Sequence, residues 1–281
     1  MASHPDDLSP SERYAAYVRR SRRTPRLEEF LDRQEFALDP FQMEACEAVD
    51  AGEGVLVAAP TGAGKTVVAE FAVHCALAEG RKCFYTTPIK ALSNQKYADL
   101  VAVHGAHNVG LLTGDTSLNA EAPVVVMTTE VLRNMLYAGS AALHGLGYVV
   151  MDEVHYLADR LRGPVWEEVI IHLPDPVQVV SLSATVSNAE ELGDWLDTVR
   201  GHTRVVVSEH RPVPLWQHVM TPEGLVDLFV DDDGDEQTLN PDLVRLSRQQ
   251  SAWDERGGPR GGRRRGRAPR GPGRRGYRGR E

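Results

Sequence analysis

The sequence predicts an α/β domain in which a parallel β-sheet is flanked by helices, and three observations support this fold class. Between residues 39 and 208, short apolar runs such as GVLVAA, KCFYTT, VVVMTT and YVVMDE alternate with longer helical stretches. The runs are continuously apolar, which is typical of strands in a sheet covered on both faces. One run ends in a small-residue turn that opens a helix, an arrangement suited to binding phosphate. We therefore expect a doubly wound domain with its ligand at the carboxyl ends of the strands.

The rest of the chain divides into three further segments. Residues 1–38 are polar and charged and are expected to form an N-terminal arm. Residues 209–250 contain candidate strands in HRPVPLWQHVM and GLVDLFVDDDGD and a short candidate helix in LNPDLVRLSRQQSAW. Residues 251–281 are rich in Arg and Gly and cannot bury enough apolar surface to offset their ordering entropy, so we expect disorder there.

The charge is distributed unevenly along the chain. The net charge is −9, but residues 252–281 contain 11 Arg and only three carboxylates, which gives +8, so the remaining residues carry −17. An acidic body with a basic tail is typical of proteins that meet nucleic acid through a flexible segment. A run of Arg and Gly is equally common in solvated spacers, so both readings of the tail stay open.

Composition excludes several classes of protein. Cys46, Cys75 and Cys83 are too few and too scattered for a disulfide framework, and no Cys or His spacing suggests zinc. The first residues lack the apolar segment of a signal peptide, and no stretch approaches the roughly 20 apolar residues of a membrane span. We expect a soluble cytoplasmic protein.

The strongest local signal is the strand, turn and helix in VLVAAPTGAGKTVVAEFAV. In such a P-loop the backbone N–H groups of the turn surround the phosphates, which requires small residues such as Gly62 and Gly64. Lys65 would contact the β- and γ-phosphates, and the Thr66 hydroxyl would ligate Mg²⁺. Ala59 replaces the first Gly of the usual pattern. The predicted nucleotide-binding residues of this loop are Pro60, Thr61, Gly62, Ala63, Gly64, Lys65 and Thr66. Kinases, transporters, GTPases and motors share this loop, so it does not identify the reaction.

A pair of carboxylates in YVVMDEVHYL narrows the chemistry. Asp152 and Glu153 follow an apolar strand, where ligands bind in open parallel sheets. Asp152 is suited to hold Mg²⁺ through its water shell, and Glu153 to orient and deprotonate the attacking water. Adjacent carboxylates with separate tasks favour hydrolysis, whereas a metabolite kinase needs an acceptor pocket and a lid that the sequence does not reveal. An acidic strand end facing solvent is the alternative.

Read together, APTGAGKT and DEVH resemble the motifs of DExH-box superfamily II helicases, in particular the Ski-like RNA helicases and the bacterial HelY-type proteins. The resemblance covers roughly residues 10 to 220, with the motifs in the family's order. It implies a RecA-like domain that binds ATP and Mg²⁺ and uses ATP hydrolysis to move on single-stranded nucleic acid, with RNA favoured over DNA. The segment DPFQMEACEAV is similar to the one that contacts adenine, which implies that Gln42 reads the base edge and Phe36 stacks on it. A polar residue at the start of a helix is the alternative for Gln42.

Three further segments, TTPIKALSNQKY, GLLTGD and TTEVLRNML, are similar to the family's strand-contacting motifs. A Thr-Thr-Glu start is also an ordinary helix cap, so their order carries more weight than any one of them. The implied nucleic-acid contacts are Pro88, Lys90, Gln95, Gly114, Thr128, Thr129 and Arg133. SLSAT is similar to the motif in which Ser183 and Thr185 hydrogen-bond to the DExH segment and, with His155, couple nucleotide state to the strand.

The resemblance also implies a second RecA-like domain, because helicases of this superfamily bind ATP between two of them. No Gln-x-x-Gly-Arg-x-Gly-Arg motif follows SLSAT, so we expect a first domain and the crossing segment toward a missing second one, with slow hydrolysis and no unwinding. The Arg/Gly-rich run is then a linker or insertion first and a possible RNA tether second. RNA-processing proteins are expected partners. A non-catalytic ATP- and RNA-binding module, a DNA helicase fragment and a P-loop kinase are the alternatives.

Overall fold

The computed structural model describes residues 24–184, 189–212, 216–222, 224–230 and 238–255. The chain divides into two compact units, Met1–Val213 and Pro214–Glu281. The first unit contains the residues predicted to bind nucleotide.

In the first unit, strands and helices alternate as predicted. The strands are β1 (Gly54–Ala58), β2 (Lys82–Thr87), β3 (Val109–Leu112), β4 (Ser117–Leu118), β5 (Val124–Thr128), β6 (Leu146–Met151), β7 (Gln178–Ser183) and β8 (Thr203–Val207). The helices are α1 (Pro25–Asp32), α2 (Pro40–Asp50), α3 (Thr66–Glu79), α4 (Lys90–His104), α5 (Thr129–Tyr137), α6 (Gly163–His172) and α7 (Ala189–Arg200), with 3₁₀ turns at Ala141–Leu143 and Val154–Ala158.

The strands form one eight-stranded sheet in the order β4-β3-β5-β2-β6-β7-β1-β8. All neighbouring strands are parallel except β4, which runs antiparallel to β3. The prediction of an α/β domain with a parallel sheet flanked by helices is therefore confirmed.

Two hydrophobic clusters lie on opposite faces of the sheet. Successive strand residues point to opposite faces, and accordingly Val55 and Val57 belong to one cluster and Leu56 to the other. The first cluster takes apolar side chains from α1, α2, α3 and α4, and the second from α5, α6 and α7. Because the last four residues of β1, Val55 to Ala58, are fully buried, the loop that follows them is anchored to the centre of the core.

Part of the predicted N-terminal arm packs on this domain. In α1, Leu27 and Phe30 are buried in the first cluster, three residues apart on one face of the helix. Thr24 caps the helix by accepting a hydrogen bond from Leu27 N, and Arg26 pairs with Asp50 of α2 at 2.8 Å. Residues 24–32 therefore belong to the folded domain rather than to an arm, because they bury apolar side chains that would otherwise face water. Residues 1–23 lie outside the described ranges.

The two short strands β3 and β4 were absent from the predicted elements. Gly110 lies in the middle of β3, and a Cβ at this position would lie 2.2 Å from the carbonyl oxygen of Asn119. The segment that contains β4 and Asn119 approaches β3 so closely that position 110 requires Gly. Gly is also the residue that weakens a strand pattern in a sequence.

The second unit contains two small antiparallel pairs and a helix. The strands β9 (His218–Thr221) and β10 (Gly224–Asp227) form one pair, β11 (Phe229–Val230) and β12 (Thr238–Leu239) the other, and α8 spans Pro241–Glu255. The segment predicted to be disordered from residue 251 is thus helical to residue 255, and its remainder lies outside the described residues, as does the acidic run at 231–235. None of the helices in the described ranges is both long and apolar enough to cross a membrane.

Candidate functional site

The predicted motifs meet at one edge of the sheet. Strands β1, β2, β5, β6 and β7 run parallel, so the segments that follow them lie at the same edge. The P-loop follows β1, TTPIKAL completes and follows β2, Thr128 ends β5, and Asp152 follows β6. Sheet topology therefore brings together residues that are far apart in the sequence.

The P-loop turn depends on two glycines with positive φ. Gly62 has φ +84° and Gly64 has φ +83°, a conformation that Gly adopts without steric cost. A Cβ on Gly64 would also lie 2.5 Å from Nε2 of Gln42. Within the turn, Thr61, Gly62 and Gly64 are exposed, whereas Pro60 and Ala63 are buried. The exposed residues leave part of the turn accessible to a ligand.

Lys65 is folded back onto its own loop. Its Nζ donates to the carbonyl oxygens of Ala59 at 2.7 Å and Pro60 at 3.0 Å. Partial burial lowers the pKa of Lys65, and the negative charges of Glu153 and Asp152 raise it. The two carboxylates therefore lie close enough to interact electrostatically with the P-loop lysine, although β7 separates β6 from β1.

The carboxylate of Asp152 is held at both oxygens. Oδ2 accepts a 3.0 Å hydrogen bond from the hydroxyl of Tyr85, and Oδ1 accepts one of 3.0 Å from Glu153 N. The backbone N–H of Asp152 donates to the carbonyl of Thr86 at 3.0 Å. Burial raises the pKa of Tyr85 well above its usual value, and Asp152 raises it further, so Tyr85 keeps its proton and acts as the donor. Sequence reasoning missed Tyr85 because it reads as one more buried residue of β2.

Glu153 occupies a strained position after β6. Its φ of 56° and ψ of 42° are left-handed, which costs a residue with a side chain about 1 to 2 kcal/mol. Its carboxylate is about one-third exposed at 34% and lies 3.3 Å from Nδ1 of His155. The adjacent Tyr156 stacks on buried Trp166 with ring centroids 5.8 Å apart, which anchors the turn. The Glu153 carboxylate is therefore accessible to solvent.

Gln42 makes different contacts from those implied by the resemblance. Its Oε1 accepts from the backbone N of Asp39 at 2.8 Å, and its Nε2 donates to the carbonyl oxygens of Gly64 at 3.0 Å and Ala63 at 3.3 Å. Only 4% of the residue is exposed. In this structure Gln42 caps α2 and holds the P-loop, and an adenine contact stays a prediction. Phe36 is 54% exposed, and its stacking on a base also stays a prediction.

The SLSAT segment lies beside the P-loop. Ser183 is in register with Ala58 of β1, and its carbonyl accepts from Ala59 N at 3.2 Å. The Ser183 hydroxyl is buried and has no hydrogen-bond partner among the described residues. The expected bond from the Ser183 hydroxyl to the DEVH segment is therefore not formed in this structure. Thr185 lies outside the described residues.

Some of the predicted nucleic-acid contacts form an exposed surface beside this edge. Lys90, Gln95 and Gly114 are exposed. Lys90 pairs with Asp115 at 2.6 Å, which joins the start of α4 to the loop after β3, and this hydrogen bond lowers the pKa of Asp115. A lysine, an amide and an exposed backbone are suitable groups for contacting phosphate and sugar.

The other predicted contacts are less accessible. Pro88 and Thr129 are buried, and the Thr129 hydroxyl donates to the carbonyl of Thr87 at 3.4 Å. Thr128 and Arg133 are partly exposed. The buried Thr129 therefore joins the ends of β2 and β5 rather than facing the exposed surface.

The oxygen donors near the P-loop fit a magnesium ion. Thr66 begins α3 directly after Lys65, and Asp152 lies close enough to that lysine for their charges to interact. Hydroxyl and carboxylate oxygens, with water, are the ligands that Mg²⁺ prefers. A second residue missed by sequence reasoning, Lys96 of α4, donates to Oγ1 of Thr66 at 3.3 Å.

Comparisons with known proteins agree with the motifs. A family model described as DEAD/DEAH box helicase matches residues 39–192, more than half of the chain. "Probable helicase HelY" of Mycobacterium leprae is 70% identical over 211 residues, covering 75% of this chain and 23% of the relative. "Exosome RNA helicase MTR4" of Homo sapiens is 46% identical over 214 residues, covering 75% and 20%.

Among solved structures, the helicase Lhr of Mycobacterium smegmatis bound to ssDNA and AMP-PNP aligns with a TM-score of 0.53 at 29% identity, covering 68% of this chain and 28% of that chain. The chain spans less than a quarter of the length of the two curated relatives. The likeness to HelY and to RNA helicases of the MTR4 type confirms the predicted resemblance, and the RecA-like assignment of the fold is confirmed with it. The chain belongs to the DEAD/DEAH box helicase family.

Proposed function

We propose that this chain binds ATP with Mg²⁺ and single-stranded nucleic acid, RNA in preference to DNA, as the first RecA-like domain of an ATP-dependent motor. One observation carries the proposal: Lys65, Asp152 and Glu153 interact at the sheet edge that also carries the exposed Lys90 and Gln95. ATP-dependence agrees with the family, and the structure of Lhr with ssDNA and AMP-PNP supports the binding of a nucleotide.

Each residue of the edge has a chemical task in this proposal. Lys65 leaves its loop carbonyls for the β- and γ-phosphates, a charge-assisted contact stronger than the bonds it gives up. Thr66 and Asp152 hold Mg²⁺, which neutralises charge that develops on the phosphates. Tyr85 keeps Asp152 in one orientation. Glu153 orients a water and accepts its proton.

The names of two relatives support the proposed preference for RNA. MTR4 of Homo sapiens, an RNA helicase by name, is 46% identical, whereas Lhr, solved with ssDNA, is 29% identical. The proposed partners are single-stranded RNA, a second RecA-like domain and RNA-processing proteins. Where a second domain supplies an arginine to phosphoryl transfer, that residue contributes about 10³ to 10⁵ in rate, so we expect slow hydrolysis and no unwinding by these 281 residues.

Replacing Lys90 with Ala is expected to weaken the binding of single-stranded RNA and DNA alike, because a lysine at this position contacts phosphate rather than base. The slope of the logarithm of the binding constant against the logarithm of the salt concentration should decrease in magnitude by about one. Fluorescence anisotropy of labelled RNA and DNA of one sequence, measured over a range of salt concentrations, gives both quantities.

Lys82→Ala is the matched control, because Lys82 begins β2 at the other end of the strand and contacts the carbonyl oxygen of Ala142. Tighter binding of RNA than of DNA by the unaltered chain supports the RNA preference. An equal loss of nucleic-acid affinity in Lys90→Ala and Lys82→Ala would contradict the proposal that the nucleic acid contacts Lys90 at the start of α4.

A further inference from the structure

The ammonium group of Lys96 lies beside Thr66, the proposed metal ligand. Its Nζ lies 3.3 Å from Oγ1 of Thr66, to which it donates a hydrogen bond across 30 residues of sequence. Lys96 projects from α4, and Thr66 is the first residue of α3. The bond therefore links two helices that pack on the same face of the sheet.

Glu70 is a carboxylate whose charge interacts with that of Lys96. It lies four residues after Thr66 on α3, so both side chains are on one face of that helix. Partial burial raises the pKa of Glu70, the positive charge of Lys96 lowers it, and the negative charge of Asp99 raises it. Lys96 is thus close enough to interact with Thr66 and with Glu70.

We propose that Lys96 acts as an internal cation that occupies Thr66 when the metal is absent and is displaced toward Glu70 when Mg²⁺ binds. The proposal rests on the proposed function, in which Thr66 ligates Mg²⁺. The hydroxyl oxygen that accepts a hydrogen bond from Lys96 would be the atom that contacts the metal. Two cations at neighbouring positions repel each other, so metal binding separates Lys96 from Thr66, and Glu70 is the nearby carboxylate that can receive the ammonium group.

Replacing Lys96 with Met is expected to tighten Mg²⁺ binding, because Met keeps the length of the side chain and removes the competing charge. The Mg²⁺ concentration that gives half-maximal binding of a fluorescent ATP analogue should fall about three- to tenfold. Equilibrium binding reports this directly and requires no hydrolysis. The control is Lys82→Met, the same substitution at the first residue of β2. It should leave the half-saturating Mg²⁺ concentration unchanged.

Glu70→Gln provides a test with the opposite sign. Without its carboxylate the displaced ammonium group loses its partner, so the half-saturating Mg²⁺ concentration should rise. In the Lys96→Met background, Glu70→Gln should change the half-saturating Mg²⁺ concentration less, because the ammonium group that Glu70 would pair with is absent. The proposal is overturned if Lys96→Met leaves Mg²⁺ affinity unchanged or weakens it.

Two controls separate this outcome from other failures. The melting temperature and the metal-free affinity for the analogue show whether Lys96→Met is folded, and Lys96→Gln replaces it if it is not. Unaltered protein whose nucleotide binding does not depend on Mg²⁺ would overturn the proposed function and this inference with it. Mg²⁺-dependent binding in the unaltered protein without a shift in Lys96→Met would overturn this inference alone.

Discussion

Glu153→Gln is expected to abolish ATP hydrolysis and to leave ATP binding intact. The carboxylate is one-third exposed beside His155, and Gln keeps its size but cannot accept a proton. Loss of a general base lowers rates by about 10²- to 10⁴-fold. Single-turnover phosphate release and equilibrium binding of a fluorescent ATP analogue measure the two effects separately.

Glu190→Gln is the matched control for this substitution, because Glu190 is an exposed residue in the first turn of α7. It loses the same charge and should hydrolyse ATP at the unaltered rate. Hydrolysis that persists in Glu153→Gln would show that another group activates the water. Loss of binding together with hydrolysis would assign Glu153 to the nucleotide site itself.

Lys65→Ala is expected to weaken ATP binding about 10- to 100-fold, as removal of a charge-assisted contact to phosphate does. In the structure the Nζ of Lys65 donates hydrogen bonds to the loop carbonyls of Ala59 and Pro60, so its substitution removes bonds within the P-loop. Isothermal titration with ATP and Mg²⁺ gives the affinity, and thermal melting without nucleotide shows whether the fold is retained.

The control for Lys65→Ala is Lys82→Ala, which removes the same charge far from the P-loop. An affinity for ATP that is equal in Lys65→Ala and the control would exclude the P-loop as the phosphate site. Unfolding of Lys65→Ala would instead assign the lysine a structural role.

The sheet was predictable because its main strands are continuous apolar runs. Strand β6 is an example, since YVVM lies between turns and every residue of β6 is buried. Strand β3 was not predictable, because the close contact with Asn119 requires Gly110, and this Gly interrupts the apolar run of the strand. Helix α1 had a readable signal in Thr24-Pro25 followed by Leu27 and Phe30, but its charged neighbours suggested an arm.

Within the candidate site, residues that stand in recognisable motifs were easier to predict than residues that position others. Lys65 and Asp152 stand in dense motifs, and topology brings them to one edge. Tyr85 and Lys96 stand in no such motif, since their roles arise from tertiary contacts with Asp152 and Thr66. Whether a given predicted contact is exposed also depends on packing, as buried Thr129 shows, and packing cannot be read from spacing.

We propose that one edge of the sheet couples ATP hydrolysis to the binding of a single-stranded nucleic acid. The decisive measurement is steady-state phosphate release from ATP by residues 1–281, with and without single-stranded RNA or DNA. We expect slow release that RNA stimulates more than DNA and that disappears in Lys65→Ala. Release that neither nucleic acid changes, or that survives in Lys65→Ala, would contradict the claim.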